Sequence, residues 1–207
     1  MISAAAAAVK PHEHSFDPET HTFRIDGVVV PSVTQAIDCL NLRDTEHFTE
    51  ESRDRGRDVH ELCQFYDEGD LFWPAVDPEY EGYLKGWIRF RQENPKFKPR
   101  LIEQPVWNDL HRYGGVPDRV EEYGPREAVI DIKSGIRDET TGLQTAGYDD
   151  ALYPPPGGYR ERFGVYLDGA GGYDLVPYRD PNDRYLFLSA VSLANWKLRR
   201  KGQKWQE

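Results

Sequence analysis

An α/β fold is predicted by two observations on this sequence. Segments with helical spacing of apolar residues alternate along the chain with segments typical of β-strands. The predicted helices cover residues 49–68, 79–93, 140–152 and 183–201, and the predicted strands cover 100–107, 114–120, 128–135, 162–167 and 173–177. A chain of 207 residues is long enough for one domain with its own core, which we predict over 15–207. Residues 1–14 are predicted to be a flexible tail, because the Ala4–Ala8 run is too short and lacks the basic start of a signal peptide.

The first structured segment is predicted to be a β-hairpin. Residues 20–25 alternate in polarity, Asp26-Gly27 is a strong turn signal, and Val28–Val30 is predicted to form the second strand. A helix is then expected to begin after Ser32, because Ser32 and Gln35 have the spacing of a capping box.

Composition restricts the function classes. Acidic residues outnumber basic ones by 36 to 26, so the overall field repels nucleic acid and any DNA contact requires local basic patches. The two cysteines fit buried, reduced thiols, and two are too few for a four-cysteine cluster, so no iron–sulfur cluster is expected. No apolar run approaches the ~20 residues of a membrane span. We therefore expect a cytoplasmic protein without a membrane partner.

The chemistry is predicted to centre on two neighbouring strands. Residues two apart on a strand share a face, so Asp131 and Lys133 point the same way while Ile132 packs on the other side. If the strands at 114–120 and 128–135 pair as a hairpin, Asp118 lies beside Asp131. Two carboxylates and an ammonium in one small volume favour a bound divalent cation. The alternative is a surface hairpin with an ordinary cross-strand Asp–Lys pair.

Two predicted helices carry further polar candidates. His60 lies beside the apolar stripe of the helix at 49–68, and Gln144 and Tyr148 share one face of the helix at 140–152. The basic residues of the first helix have two interpretations, phosphate binding by guanidinium groups or pairing with neighbouring acids. These residues are Arg53, Arg55 and Arg57.

Taken together, these motifs resemble the PD-(D/E)XK nuclease superfamily. Pro117-Asp118, twelve residues and Asp131-x-Lys133 match its central pattern, while Gly56-x-x-x-His60 and Gln144-x-x-x-Tyr148 resemble motifs of its RecB-like, phage exonuclease-like branch. The order of the motifs is also that of the branch. The resemblance implies a restriction-endonuclease-like core, in which helices flank a central mixed β-sheet and the N-terminal hairpin is an addition.

The resemblance implies a Mg²⁺- or Mn²⁺-dependent DNA hydrolase, with an exonuclease expected first. A structure-specific endonuclease, a catalytically inactive nucleic-acid-binding scaffold and a metal-binding structural domain remain as alternatives. The implied partner is linear DNA with free ends in a bacterial or phage-infected cell, with a recombinase or single-strand-binding protein as a further partner. The implied ligands of one or two ions are His60, Asp118, Asp131, the Ile132 carbonyl and Glu103.

The resemblance also assigns catalytic roles. Lys133 would orient or deprotonate the attacking water or stabilise transition-state charge, and Gln144 and Tyr148 would hold the strand or a carboxylate. Gly56 would let another backbone approach its helix. The implied catalytic residues are Asp118, Asp131, Lys133, Gln144 and Tyr148. Basic clusters, and not the resemblance, make Arg53, Arg55, Arg57, Arg199 and Arg200 candidate DNA contacts. The last two also suit a purely structural role at a helix C-terminus.

Overall fold

The computed structural model describes residues 11–42, 49–153 and 159–202. Its N-terminal part is an antiparallel meander of β1 (His14–Asp17), β2 (Thr22–Ile25) and β3 (Val28–Val30). The predicted hairpin is therefore confirmed and gains one strand, which begins at the last residue of the predicted tail. Asp26 and Gly27 both have positive φ, at 54° and 75°, as the tight turn between β2 and β3 requires.

The centre of the molecule is a mixed sheet of five strands in the order β10-β9-β8-β7-β4. Only β8 and β9 run parallel, and the other neighbours are antiparallel. This confirms the predicted fold class. The strands are β4 (Phe97–Ile102), β7 (Arg119–Tyr123), β8 (Arg126–Lys133), β9 (Glu161–Leu167) and β10 (Tyr173–Pro177).

Helices cover both faces of this sheet. They are α1 (Val33–Asp38), α2 (Glu50–Glu68), α3 (Glu81–Glu93), α4 (Thr140–Ala151) and α5 (Asn182–Gly202), with a short 3-10 helix at Trp73–Ala75. Ile130 and Ile132 pack on the side of α2 and α3, whereas Val129 packs with α1, α4 and α5. The alternation of β8 therefore separates two apolar layers as predicted. Among the described helices, none combines the length and apolarity that crossing a membrane demands.

The helix boundaries follow from local capping. At α1, Ser32 Oγ accepts a hydrogen bond from Gln35 N, and the Gln35 side chain accepts one from Ser32 N. The expected capping box is thus present. Thr49 caps α2 in a similar way, and Gly69 ends that helix with a left-handed φ of 82°.

Two predicted strands are wrong in their extent. The segment 100–107 is divided, because β4 ends at Ile102 and Glu103 turns away with a positive φ of 47°. Val106–Asn108 instead forms β5, which pairs with β6 (Tyr113–Gly115) in a separate two-stranded sheet. The segment 114–120 is divided in the same way between β6 and β7. Each break contains a proline, and proline has no N–H for a central ladder.

The apolar face that helical spacing predicts for α5 is half correct. Of the six residues it places inward, Phe187, Ala190 and Ala194 are buried, whereas Leu186, Leu193 and Trp196 are 45%, 37% and 49% exposed. The buried positions are Phe187, Ala190, Val191 and Ala194. Apolar residues stand at adjacent positions in this helix, so helical periodicity alone fits two neighbouring stripes.

Two glycines allow α3 to lie against the turn between β9 and β10. Gly82 and Gly86 are one helical turn apart, and the carbonyl oxygens of Gly169 and Gly172 occupy the space where their Cβ atoms would be. Because the obstructing atoms belong to the backbone, they cannot move as a flexible side chain would. Helix and turn would have to separate to admit a methyl group.

We predict that Gly86→Ala lowers the free energy of unfolding by about 1–3 kcal/mol, as overpacking does in other cores. Urea unfolding followed by circular dichroism measures the change. Unaltered stability would show that the turn does not constrain the helix.

The matched control is Gly56→Ala in α2, where no described residue outside the same stretch of helix has an atom within 4 Å of the added methyl group. Here the only change is the better helix propensity of alanine. Gly56→Ala should therefore raise the free energy of unfolding by about 0.5–1 kcal/mol.

Candidate active site

The centre of the site is the junction of β7 and β8. Arg119 pairs with Ile130 across this junction, and Asp118 immediately precedes β7. Asp118 Oδ2 accepts a hydrogen bond of 2.6 Å from the backbone N of Ile132. The two motif strands are therefore paired as predicted, and the Asp118 carboxylate is attached to β8 between Asp131 and Lys133.

Three potential ligand atoms converge beside this junction. His60 reaches over from α2, and its Nδ1 lies 3.5 Å from Asp118 Oδ1 and 3.8 Å from Glu103 Oε1. The imidazole nitrogen and the two carboxylate oxygens all lie within 4.8 Å of one another. One nitrogen and two carboxylate oxygens form a donor set suited to Mn²⁺ or Mg²⁺. The group is therefore able to hold a metal ion.

His60 is oriented by the backbone of β8. Its Nε2 lies 2.8 Å from the Ile132 carbonyl oxygen, and the tautomer that donates this hydrogen bond leaves the Nδ1 lone pair facing the two acids. Burial opposes a charge on the imidazole, but the nearby Asp118 and Glu103 outweigh burial and raise the pKa of His60 to about 9. Burial also raises the pKa of Asp118, with His60 acting in the opposite direction. Glu103 and Asp118 thus already stabilise a positive charge between them.

A second chain of polar contacts begins at Asp131. Lys133 Nζ lies 2.6 Å from Asp131 Oδ2 and donates a hydrogen bond of 3.2 Å to Gln144 Oε1. Gln144 Nε2 in turn donates to the Tyr148 hydroxyl at 3.2 Å. The four residues predicted on β8 and α4 therefore form one connected set. Gln144 holds the Lys133 ammonium in this arrangement. The predicted partner of Gln144 was a nucleic-acid strand or a neighbouring carboxylate.

The carboxylate of Asp131 is buried more completely than its hydrogen bonding explains. Its side chain has no exposed surface, and within the described chain neither oxygen accepts a well-directed hydrogen bond. Burial raises the pKa of Asp131 to about 6, although the Lys133 charge acts to lower it. Oδ2 already faces the Lys133 ammonium, so it is the lone pairs of Oδ1 that favour a second cation. The residues present therefore fit a divalent ion.

A groove of about 530 Å³ leads to His60 and Glu103. Its other lining residues are Gly56, Arg57, Glu61 and Gln64 of α2. The prediction that another backbone approaches Gly56 is wrong for the described residues, because none of them outside its own stretch of helix has an atom within 4 Å of the place of its missing Cβ. The glycine faces open space and widens the groove instead.

The predicted DNA-binding arginines lie in different environments. Arg57 lines the groove and is 70% exposed, and it pairs with Asp54 at 2.9 Å and with Asp58 at 3.6 Å. Arg53 is exposed, whereas Arg55 is half-buried. Arg199 and Arg200 are exposed on α5, which packs on α1 and α4, and neither lines the groove. DNA contact by all five arginines remains a prediction.

Sequence reasoning missed a buried ionic cluster behind Glu103. Its members are Asp67 of α2, Arg91 of α3, and Arg119 and Glu121 of β7, and we refer to them as the buried arginine cluster. Arg119 and Glu121 are fully buried. A signal was available, because charged Arg119 and Glu121 flank Val120 where the predicted strand at 114–120 ends.

Comparisons with known proteins support the fold. No protein family and no curated protein matches this chain. A crystal structure described as "Putative exonuclease" from Eubacterium rectale is similar to it with a TM-score of 0.52 and 12% identity. The match covers 70% of this chain and 66% of that protein, slightly less than two thirds of its length. At this identity the likeness concerns the fold alone.

We predict that Mn²⁺ stabilises the wild-type protein against unfolding. An ion that binds only the folded state at 100 times its dissociation constant adds about 2.7 kcal/mol. Asp118→Asn and Glu103→Gln should reduce this gain strongly, because each replaces a converging ligand oxygen by an amide.

Thermal unfolding with and without Mn²⁺ measures the effect. Glu122→Gln, at an exposed acid of β7, removes the same charge away from the site and should retain the full gain. A similar loss in Glu122→Gln would indicate a nonspecific charge effect and contradict the site.

Proposed function

We propose that this chain is a divalent-metal-dependent nuclease of the PD-(D/E)XK type that hydrolyses phosphodiester bonds in DNA. The observation that carries the proposal is the convergence of His60, Glu103 and Asp118 beside the buried Asp131–Lys133 pair. A likeness in fold to a protein described as a putative exonuclease supports it. The similarity concerns the fold, and the inference of phosphodiester hydrolysis rests on the site residues.

The proposed ligands come from four elements of the fold. His60, Glu103 and Asp118 would hold the ion, with Asp131 and the Ile132 carbonyl as further ligands. The carbonyl accepts one hydrogen bond from His60, which leaves its second lone pair available. When bound, Mg²⁺ or Mn²⁺ supplies a Lewis acid that polarises the scissile phosphate and acidifies water.

Lys133 is proposed to act as a cation. Burial opposes its charge, but Asp131 and Asp118 outweigh burial and raise its pKa above the ordinary value. A lysine that keeps its proton cannot deprotonate water at neutral pH. Its ammonium would instead orient the attacking water and stabilise negative charge on the phosphate. Of the roles considered for Lys133, this electrostatic one fits its surroundings best.

Gln144 and Tyr148 are proposed as supports of Lys133. Gln144 accepts a hydrogen bond from the ammonium, and Tyr148 accepts one from Gln144. Both are buried, at 7% and 4% exposure. They would therefore hold the lysine in place, while the residues that line the groove would contact the substrate.

DNA ends are the proposed substrate. A net charge of −10 disfavours binding along a long DNA duplex, whereas binding of a strand end requires only a short basic region on the protein. Arg57 lies in the groove, and Arg53 and Arg55 stand on the same helix. The acidic charge equally suits a metal-binding domain without a nucleic-acid partner, and cleavage assays distinguish the two.

We predict that Asp131→Asn and Lys133→Ala each reduce metal-dependent cleavage of linear DNA by at least about 10²-fold, the usual effect of removing an electrostatic or acid–base group. Lys133→Ala should keep its stabilisation by Mn²⁺, because an ammonium is not a ligand. Cleavage of end-labelled DNA and thermal unfolding are measured on the same preparations.

Lys85→Ala, at an exposed position on α3, is the control for loss of one positive charge. Wild-type protein that binds Mn²⁺ but does not cleave linear or circular DNA would contradict the nuclease and favour the metal-binding domain.

Exonuclease action is tested by the form of the DNA. We predict progressive degradation of linear DNA from an end and resistance of covalently closed circles, because the groove would need a free end. Nicking the circle with an unrelated enzyme should restore degradation. Rapid cutting of closed circles at the same metal concentration would instead show an endonuclease.

A further inference from the structure

The buried arginine cluster directly adjoins the candidate metal centre. Asp67 is its hub, because it receives hydrogen bonds from Arg91 Nε at 2.8 Å, from Arg119 Nε at 2.7 Å and from Trp87 Nε1 at 3.2 Å. Arg91 also lies 2.8 Å from Glu121 Oε1. Two acids and two arginines give the cluster no formal net charge. It can therefore be buried without neutralising the acids of the metal centre.

Arg119 connects this cluster to two of the proposed ligands. Its Nη1 donates a hydrogen bond of 3.2 Å to Glu103 Oε1 and one of 2.5 Å to the backbone oxygen of Asp118. Glu103 Oε1 is the same oxygen that lies 3.8 Å from His60 Nδ1. The guanidinium thus approaches Glu103 from inside while the imidazole approaches from the groove.

The backbone at Glu103 needs such support. Its φ of 47° is left-handed, a conformation that is unfavourable for a residue with a side chain. Glu103 N donates to the Asp118 carbonyl at 3.2 Å, and that carbonyl is also the acceptor for Arg119. Arg119 and Asp118 together therefore hold Glu103 where β4 turns away from the sheet.

Arg91 offers a close comparison within the same cluster. It shares Asp67 with Arg119 and is also largely buried, with 10% of its side chain exposed. Its described ion pairs go to Asp67 and Glu121, and its guanidinium lies 4.4 Å from the centre of the Trp87 ring. None of these contacts is with Glu103 or Asp118. Loss of Arg91 would affect the cluster while leaving the ligands in place.

We propose that Arg119 is a positioning residue for the metal centre, which fixes the Glu103 carboxylate and the Asp118 backbone so that both ligands are preset for a divalent cation. This rests on the proposed function, since it assumes that the centre binds metal. The planar guanidinium suits the role, because it can hold Asp67 and Glu103 through different nitrogens at once. A lysine ammonium cannot span the same two partners from one position.

The test compares Arg119→Lys with Arg91→Lys, since each change keeps the charge and removes a guanidinium from the same cluster. Mn²⁺ affinity is measured by calorimetry and stability by urea unfolding. Replacement of outer partners of metal ligands weakens affinity by about 10–100-fold. We expect a loss of this size for Arg119→Lys and wild-type affinity for Arg91→Lys, with reduced stability in both.

A second pair of variants is available if Arg119→Lys does not fold. Asp67→Leu with Arg119→Met removes one acid and one arginine, and Glu121→Leu with Arg91→Met removes the other two. Apolar replacement of a whole buried pair is often tolerated. Only the first double variant should lose Mn²⁺ affinity.

If the wild-type protein binds Mn²⁺ normally, two outcomes would overturn the role of Arg119 without affecting the metal centre. One is unchanged affinity in the Arg119 variants, and the other is an equal loss in the Arg91 variants, which would indicate a structural role of the cluster. Absence of Mn²⁺ binding by the wild-type protein would instead overturn the metal centre itself and this proposal with it.

Discussion

The hydrogen bond from the Ile132 backbone to Asp118 Oδ2 is the contact on which the site depends. It attaches the segment before β7 to the middle of β8, and so places one acid between Asp131 and Lys133. The carbonyl oxygen of the same residue lies 2.8 Å from Nε2 of His60 on α2. One backbone position therefore aligns three elements. A shift of one residue in the β7–β8 register would turn Asp131 and Lys133 to the opposite face and separate the whole set.

Much of this arrangement could be predicted from the sequence because it depends on local patterns. Alternation on β8 predicted which residues face each layer, and the capping residues Ser32 and Thr49 mark the starts of α1 and α2. The pairing of β7 with β8 follows from a short turn between two apolar strands. Spacing on the helices showed which faces His60 and Gln144 occupy. Their roles as candidate site residues came from the resemblance to a nuclease family, because periodicity does not indicate chemistry.

The remainder depends on contacts between distant segments. Glu103 was expected on a continuous strand, whereas it sits where β4 turns away, held by Asp118 and Arg119. No local pattern shows that a buried arginine on β7 will meet an aspartate on α2. The phase of α5 was also undetermined, because its apolar residues fit two stripes and packing against α1 and α4 selects one. Periodicity identifies faces, but the choice among faces is made by tertiary packing.

The mixed sheet has a consequence for the order of folding. β7 and β8 are joined by a short turn, so they can pair early, whereas the parallel β8–β9 contact requires a crossover through α4. The docking of α2 is of longer range still, because His60 and Ile132 are 72 residues apart. Asp118, Asp131 and Lys133 would thus be assembled before His60 arrives. If α2 docks after the transition state, a ligand that needs His60 would bind only on the native side of the barrier. A bound metal ion should accordingly slow unfolding while leaving the refolding rate nearly unchanged. The ion would then raise the kinetic stability of the native state.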